Sequence, residues 1–253
     1  MTEVRAKKFL GQHFLTDESI ARRIVESIAP DSRHLLEIGP GMGVLTKYLI
    51  NRENKNFHVI EIDHESVSYL HNHYPTLDVI EGDFLKYDLS NLFQDRFTII
   101  GNFPYNISSQ ILFKVFDNRD KVNEVVGMFQ KEVAERVAAG PGSKTYGILS
   151  VLLSAFYNIE YLFTVNENVF NPPPKVKSAV IRLKRNDVTT LDCDEKLLVQ
   201  VVKAGFNQRR KTLRNALRQL GLSLEEIPEQ LLSKRAEQLG TDQFIEITKT
   251  LQS

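Results

Sequence analysis

The sequence contains almost no cysteine and no long apolar segment. Cys193 is the only cysteine among 253 residues, so an internal disulfide and a cysteine-rich zinc site are both excluded. The longest apolar segment, YGILSVLLSAFY at residues 146–157, is too short and too interrupted by serine to cross a bilayer. The basic N-terminus is not followed by the apolar stretch of a secretion signal. These absences predict a cytoplasmic protein without a membrane anchor.

The chain also lacks an excess of charge of either sign. Lys plus Arg and Asp plus Glu are equal at 32 each, so any nucleic-acid surface must come from the local distribution of charge. Residues 203–218 contain six basic residues and no acidic one. On a helix predicted over 208–220, Arg210, Arg214 and Arg218 recur every four residues along one face, although an ordinary solvated face is the alternative. A second basic patch is expected from Arg5, Lys7 and Lys8.

Short strand-type segments alternate with helix-type segments through most of the chain. This alternation favours a parallel sheet with helices on both faces, and the 42% hydrophobic composition is sufficient for its core. Two later strands have no long helix between them, which predicts an antiparallel pair at one edge. The predicted strands are 34–39, 57–62, 77–82, 96–102, 122–129, 159–165 and 178–184, and the predicted helices are 43–52, 64–73, 108–117 and 131–139.

Beyond Arg185 the strand signal stops and the remaining chain has helical patterns. Helices are predicted over 194–206 and 208–220, with two short ones from residue 233 onward. The composition changes near 186–190, which we take as a domain boundary. The sequence therefore predicts two domains, one over 1–187 and a helical one over 188–253 that carries the basic residues of 203–218.

A glycine-rich loop follows the first predicted strand. In LLEIGPGMGVL, Gly39, Gly41 and Gly43 separate a strand from a helix, which allows a ligand to approach backbone N–H groups closely. The dinucleotide-binding fingerprint needs a further small residue where this chain has Val44, so a nicotinamide dehydrogenase is the weaker alternative. With Glu37 before it, the loop instead resembles motif I of the S-adenosylmethionine-dependent methyltransferases.

Acidic residues end the next two predicted strands. Glu61 lies twenty residues after Gly41, where a carboxylate can accept hydrogen bonds from ribose hydroxyls, and Asp63 is its rival. Asp83 follows the third strand and is placed to accept from an adenine amine, with Phe84 as a neighbouring ring. Carboxyl ends of parallel strands meet at the edge where open α/β sheets bind ligands, so these positions predict a cofactor site.

The fourth strand delivers GNFPYNISS, residues 101–109, to the same edge. An exocyclic adenine amine is a poor nucleophile because its lone pair is delocalised into the ring. The Asn102 side-chain carbonyl and the Phe103 backbone carbonyl can accept its hydrogens and turn the lone pair toward a methyl donor. Tyr105 can stack on a base that has left its helix, and Phe170 is the candidate second ring. The alternative for Phe170 is a loop aromatic packed onto the core.

Seven motifs resemble, in order, those of the ribosomal RNA adenine dimethyltransferase family. They are KKFLGQHFL (7–15), LEIGPGMGVLT (36–46), IEID (60–63), GDFL (82–85), GNFPYNISS (101–109), QKEVAERVAAGPGSKTYGILSV (130–151) and VFNPPPKVKSAV (169–180). The resemblance covers nearly the whole chain. It implies a Rossmann-like class I S-adenosylmethionine methyltransferase fold, with a seven-stranded, mostly parallel sheet in a catalytic domain over 1–187. It also implies that the small all-α C-terminal domain over 188–253 binds RNA.

The resemblance also implies roles for individual residues. Cofactor contacts are expected from His13, Leu15, Gly39, Glu61, Asp83 and Asn102, and catalytic roles from Asn102, Tyr105 and Phe170. His13 stands where Asn is commoner in the family, and Phe103 where Leu is common. The histidine can still donate a hydrogen bond, and the role of Phe103 uses only its backbone. Without the family, His13 is interpreted as a surface histidine.

The branch that the chain is most similar to is the bacterial small-subunit enzyme. This implies dimethylation of N6 of two adjacent adenosines in a hairpin loop near the 3′ end of 16S rRNA, within an immature 30S particle, by a monomer. No metal is expected, because displacement at a sulfonium methyl needs no Lewis acid. The alternatives are a large-subunit RNA methyltransferase of the resistance type, a DNA adenine methyltransferase, and a protein that acts chiefly as a checkpoint in ribosome assembly.

Overall fold

Nine strands are found in the structure, a computed structural model that describes residues 4–53, 56–90 and 92–252. The ends of the two predicted domains, residues 1 and 253, lie outside the described residues. The strands are β1 (Phe14–Leu15), β2 (His34–Ile38), β3 (Asn56–Glu61), β4 (Asp78–Glu81), β5 (Phe97–Asn102), β6 (Val122–Gln130), β7 (Tyr157–Val165), β8 (Phe170–Asn171) and β9 (Ser178–Arg185).

Seven of these strands form one mostly parallel sheet. Its order is β4-β3-β2-β5-β6-β9-β7. The pairs from β4 to β6 are parallel, whereas β9 runs antiparallel to β6. The inner strands are apolar on both faces because helices cover both sides, and every residue of β5 before Asn102 is buried. The predicted seven-stranded α/β sheet is confirmed.

The remaining two strands form a separate small sheet. β1 pairs antiparallel with β8, so that Phe14 lies opposite Asn171 and Leu15 opposite Phe170. Strands of two residues are too short to produce a periodic pattern, so these two were not predicted. Their pairing joins the N-terminal arm (residues 4–17) to the proline-rich loop that precedes β9.

The helices mostly agree with the sequence prediction. α3, α4, α5 and α7 lie within about two residues of their predicted bounds, whereas α2 is a single turn inside the predicted helix 43–52. α1 and α6 were not predicted. The helices are α1 (Glu18–Glu26), α2 (Thr46–Leu49), α3 (His64–His73), α4 (Ser108–Asp117), α5 (Lys131–Ala138), α6 (Ile148–Ser154), α7 (Glu195–Asn207), α8 (Leu213–Leu217), α9 (Glu229–Leu232) and α10 (Thr241–Thr250).

The predicted helix over 208–220 is wrong. Residues 208–212 form a turn, α8 begins only at Leu213, and residues 218–220 form a 3₁₀ turn. The break lets the Leu213 N–H donate to the Lys234 carbonyl at 2.7 Å while the Leu213 side chain is fully buried. Arg210 therefore precedes the helix that carries Arg214, and the predicted continuous basic face does not form.

Contacts divide the chain into two units. Unit 1 comprises residues 1–134 and 160–185, and it includes the glycine-rich loop that follows β2 and the strands β1 to β6. Unit 2 comprises residues 135–159 and 186–253 and includes α6 to α10. Residues 135–159 thus group with the C-terminal helices by contact, and the functional division at 187/188 stays a prediction. Within the described part of the chain, no helix has the length and apolar character needed to cross a bilayer.

Candidate active site

A cavity of about 170 Å³ opens at the carboxyl edge of the sheet. Strands β2, β3 and β5 deliver Ile38, Glu61 and Asn102 to it from their last positions. The N-terminal arm forms another wall. Six of the predicted site residues line this one cavity: His13, Gly39, Glu61, Asp83, Asn102 and Tyr105.

The glycine loop after β2 is shaped by positive φ angles. Gly39 and Gly41 have φ of 65° and 55°, in the left-handed region that glycine adopts without steric cost. A Cβ on Gly41 would lie 2.8 Å from Cε1 of Phe14, so the arm can approach the loop only because that side chain is missing. Glycine at position 41 therefore allows the glycine loop and the N-terminal arm, which form two walls of the cavity, to pack against each other.

Glu61 is held by backbone donors at the end of β3. Its Oε1 accepts from the N–H groups of Ile62 and Asp63, each at 2.9 Å, and its Oε2 accepts from Gly41 N–H at 3.1 Å. Burial raises the pKa of Glu61, while these three hydrogen bonds act in the opposite direction. Since a carboxylate has about four acceptor sites, Oε2 keeps about one for a ligand hydroxyl.

Asp63, the rival of Glu61, has a different place. Its carboxylate pairs with the Lys7 ammonium and accepts from Gln12 at 3.2 Å and from the Glu65 N–H at 3.2 Å, at the start of α3. Burial raises its pKa, but the hydrogen bonds from Lys7 and Gln12 outweigh burial and hold the pKa below its usual value. Asp63 does not line the cavity; it fastens the N-terminal arm to α3.

Glu37 lies behind the glycine loop as a second buried carboxyl group. It is 1% exposed, and its Oε2 accepts from the Thr46 hydroxyl at 2.7 Å. Burial, with a smaller contribution from the charge of Glu61, raises the pKa of Glu37 to about 8. The Glu37 carboxyl group is therefore mostly protonated at neutral pH.

Asp83 follows β4 on the far side of the cavity. Its Oδ1 accepts from the Leu85 N–H at 2.9 Å, which fixes the carboxylate, and its Oδ2 is 3.8 Å from the Lys86 ammonium. The side chain is partly exposed to the cavity. Phe84, its predicted ring neighbour, lines the cavity as well, and the Lys114 ammonium lies 5.2 Å from the centre of its ring.

The orientation of Asn102 follows from its neighbour on the arm. Its Nδ2 donates to the backbone carbonyl of His13 at 2.9 Å. A carbonyl can only accept, so the amide nitrogen must face His13 and the side-chain oxygen is left for another donor. The arm therefore sets which end of the amide is available in the cavity.

The Phe103 ring fixes the backbone beside Asn102. The ring is 1% exposed and lies 4.9 Å from the ring of Phe129, centre to centre. A Cβ on Gly127 would lie 2.2 Å from it, so glycine in β6 is what makes room for this ring. The Phe103 N–H also donates to the Met128 carbonyl at 3.1 Å. Gly127 thus accommodates phenylalanine at position 103.

Tyr105 is held on two sides. Its hydroxyl lies 2.5 Å from Ser178 Oγ, and its ring stacks on His13 with 5.2 Å between centroids and 30° between planes. Burial raises the pKa of the Tyr105 hydroxyl, while the bond from Ser178 lowers it by less. The phenol is neutral at physiological pH. His13 is itself held by a bond between Nδ1 and the Pro172 carbonyl, at 2.8 Å.

Leu15 and Phe170 are not brought to the cavity. Each is 4% exposed, and they pack in one apolar cluster with residues of α1 and the sheet. They lie opposite each other in the β1–β8 pair. This placement favours the packing interpretation that the sequence left open for Phe170. Its clamping role stays a prediction and requires a change in the proline-rich loop.

Several lining residues were missed by the sequence analysis. Three of them are neighbours of predicted residues in the motifs GQHFL and NFPYN: Gln12, Phe14 and Asn106. Their position beside predicted site residues is the feature of the sequence that could have identified them. The others are apolar residues of the quoted motifs, and their side chains alone indicate no chemistry. Among the described residues, no cluster of His, Cys, Asp and Glu is arranged to hold a metal ion.

Comparison with known proteins gives concordant matches over the whole chain. The family model described as ribosomal RNA adenine dimethylase matches residues 3–253. A relative from Cytophaga hutchinsonii named ribosomal RNA small subunit methyltransferase A is 59% identical over 99% of both chains. A relative of the same name from Flavobacterium johnsoniae is 55% identical, covering 100% of this chain and 98% of its own.

Solved structures give the same fold. A dimethyladenosine transferase from Plasmodium falciparum is 27% identical with a TM-score of 0.76, covering 93% of this chain and 96% of its own. The 23S rRNA methyltransferase ErmE has a TM-score of 0.68 at 24% identity, covering 93% of this chain and 99% of its own. The predicted Rossmann-like methyltransferase fold is confirmed.

Proposed function

Because the chain belongs to the ribosomal RNA adenine dimethylase family, we propose that it transfers four methyl groups to N6 of two adjacent adenosines in small-subunit (16S) rRNA. The two adenosines lie in a hairpin loop near the 3′ end of that RNA. S-adenosylmethionine is the methyl donor. The substrate is an immature 30S particle, and the enzyme works as a monomer in the cytoplasm.

The orientation of Asn102 carries this proposal. With its nitrogen bound to the His13 carbonyl, Asn102 offers an acceptor and not a donor to a base in the cavity. An adenine N6 amine has two hydrogens, and the Phe103 backbone carbonyl is the second acceptor. Both hydrogens are then held in place, and the nitrogen lone pair is directed away from the ring system.

The same two acceptors account for a reaction that stops at two methyl groups. Monomethyladenosine keeps one N–H, so one acceptor still holds the amine for a second transfer. Dimethyladenosine has no N–H and makes neither hydrogen bond. Its affinity for the site falls, since two buried acceptors are left unpaired.

The cavity fits S-adenosylmethionine. The glycine loop gives close approach to backbone, Glu61 has an acceptor for a ribose hydroxyl, and Asp83 Oδ2 can accept from the adenine amine. His13 and the loop at Gly39 would complete the contacts from the arm and from β2. When bound, the cofactor supplies an electrophilic methyl group on its sulfonium. The residues of the chain bind it, orient the target amine and exclude water.

Tyr105 supports recognition of a flipped base. Its ring is fixed by Ser178 and His13, so little side-chain entropy is lost when a base stacks on it. Base–aromatic stacking is worth about 1–3 kcal/mol, close to the few kcal/mol needed to unstack a base.

In unit 2, the turn at 208–212 presents exposed Arg210 and Lys211 as candidate phosphate contacts.

The test is transfer of labelled methyl groups from S-adenosylmethionine to undermethylated small subunits, large subunits and duplex DNA. Asn102→Ala is assayed beside Asn51→Ala, a control at an exposed asparagine whose side-chain amide donates to the Lys47 carbonyl. We expect dimethyladenosine in small-subunit RNA alone. Asn102→Ala should lower kcat by about 100- to 1000-fold, and Asn51→Ala should leave it unchanged.

Other outcomes would revise the proposal in different ways. Label in large-subunit RNA or DNA would contradict the substrate and leave the chemistry intact. Absence of transfer to all three, with S-adenosylmethionine still bound, would favour a role in ribosome assembly. Normal kcat in Asn102→Ala would remove Asn102 from the mechanism.

A further inference from the structure

Phe9 is the most exposed large apolar side chain of the described residues. Its exposed fraction is 77%, against 51% for Ile62 and 47% for Val176. Exposed single apolar side chains are common, so exposure alone indicates nothing. The position of Phe9 is more informative, because the five residues that follow it, Leu10 to Phe14, all line the active-site cavity.

The turn that carries Phe9 is fastened at the mouth of the cavity. Lys8–Leu10 form a 3₁₀ turn that ends at Gly11 with φ 66°, and the Gly11 N–H donates to the Lys8 carbonyl at 3.0 Å. A Cβ on Gly11 would lie 2.6 Å from Asn106 Oδ1, so the turn packs directly against another cavity residue. The Phe9 ring is thus presented to solvent by a supported turn.

The turn is also tied on its other side. The Lys7 N–H donates to Gln12 Oε1 at 2.8 Å, and the Lys7 ammonium pairs with Asp63. The Lys7 ammonium is therefore paired with carboxylates at the start of α3, whereas the neighbouring Lys8 is exposed and has no acidic partner within 4 Å among the described residues. An aromatic ring next to a cation is the combination that binds a nucleotide through its base and its phosphate.

We propose that Phe9 stacks on the base next to the target adenosine while the target occupies the cavity. The inference rests on the proposed function, in which two adjacent adenosines are methylated in turn. When one leaves the stack, its neighbour loses an aromatic face at the mouth of the site. Phe9 replaces that face and holds the neighbour in position for the following round.

The test compares Phe9→Ala and Phe9→Trp with Tyr161→Ala, which removes another exposed aromatic of unit 1 that does not line the cavity. Methyl transfer to undermethylated small subunits is measured as kcat/KM for the particle and as KM for S-adenosylmethionine. Loss of one stacked base predicts that Phe9→Ala lowers kcat/KM for the particle by about 5- to 140-fold. The KM of Phe9→Ala for S-adenosylmethionine should stay within twofold of the wild-type value. Phe9→Trp should retain activity, and Tyr161→Ala should have the same kcat/KM for the particle as the wild type.

A photocrosslinking amino acid at position 9 identifies the contact directly. Crosslinks mapped to the nucleotides adjoining the methylated adenosine support the proposal. Crosslinks to a ribosomal protein or to a distant RNA segment overturn it, as does an unchanged kcat/KM in Phe9→Ala. Failure of the wild-type enzyme to methylate small subunits would instead contradict the proposed function itself, and the inference with it.

Discussion

At the scale of single residues, the protonated Glu37 makes unfolding depend on pH. Burial raises the pKa of Glu37 from its ordinary value of 4.5 to about 8, so the folded protein holds a proton that the unfolded chain releases. Stability then falls as pH rises between those values, by roughly 1.4 kcal/mol per pH unit, and this loss is complete above pH 8.

Glu37→Gln removes this ionisation while keeping the shape of the side chain. The wild type should lose stability through this group between pH 5 and pH 8, and the variant should not. We therefore expect the difference in the free energy of unfolding, variant minus wild type, to increase over this range. Urea denaturation at several pH values measures it. Glu26→Gln, at an exposed position on α1, is the control and should follow the wild type. Parallel pH profiles for wild type and Glu37→Gln would contradict the protonated state.

The ring and the hydroxyl of Tyr105 have separate roles, one in stacking on a base and the other in stability. Tyr105→Phe leaves the Ser178 hydroxyl, which is fully buried, without its partner. The free energy of unfolding should fall by about 1–3 kcal/mol, while methyl transfer stays within a few-fold of wild type. Adding Ser178→Ala should recover most of the stability. Tyr105→Ala, in contrast, should reduce transfer strongly because the stacking ring is lost.

Sequence reasoning placed charged and polar site residues better than apolar ones. Glu61 and Asn102 end parallel strands and Asp83 closely follows one, and strand ends meet at one edge whatever the details of packing. This rule does not apply to Phe170, because an aromatic residue in a loop has two favourable destinations, a ligand or the core. Nothing local distinguishes them, since the choice depends on Leu15, which is distant in sequence.

At the scale of elements, α7 depends on its N-cap. Asp194 Oδ1 accepts from the N–H groups of Lys196 and Leu197 at 2.7 and 3.0 Å. Asp194→Ala should lower the free energy of unfolding by about 0.5–2 kcal/mol. Asp192→Ala is the matched control: it removes an exposed pair with Lys249 and should cost less than about 1 kcal/mol. Equal effects in urea denaturation would contradict the cap.

Local sequence patterns predicted helices correctly where tertiary packing and helix propensity favour the same structure. α3 and α4 were predicted at their observed bounds. The helix expected over 208–220 failed because a tertiary hydrogen bond, from Leu213 to Lys234, competes with the helical one. α1 had a usable signal in Asp17, whose side chain accepts from Ser19 and Ile20, followed by apolar residues at helical spacing.

At the scale of the whole molecule, the net charge of zero makes RNA binding depend on few side chains. Of the six basic residues in 203–218, Arg214 pairs with Glu229, and Arg209 donates to the Ser143 carbonyl at 3.2 Å. Arg210, Lys211 and Arg218 are exposed and have no ion pair among the described residues. At about −0.7 per contact on single strands, these three give a log–log salt slope of about −2.

Removing two of these side chains tests that estimate. Arg210→Ala with Lys211→Ala should make the salt slope of RNA binding shallower by about 1.4, and should weaken binding most at low salt. Filter binding over a range of KCl concentrations measures both. Lys196→Ala with Lys249→Ala removes the same charge elsewhere in unit 2 and should leave the slope unchanged.

The short β1–β8 pair sets the order in which the enzyme can become competent during its own synthesis. Leu15 emerges from the ribosome early, but its partner Phe170 follows 155 residues later. Until then the arm lacks its strand partner, and His13 lacks the Pro172 carbonyl that holds it. A nascent chain that already has its glycine loop and Asn102 therefore has no closed active site. The arm can be fixed in place only after Pro172 has been synthesised, about two thirds of the way along the chain.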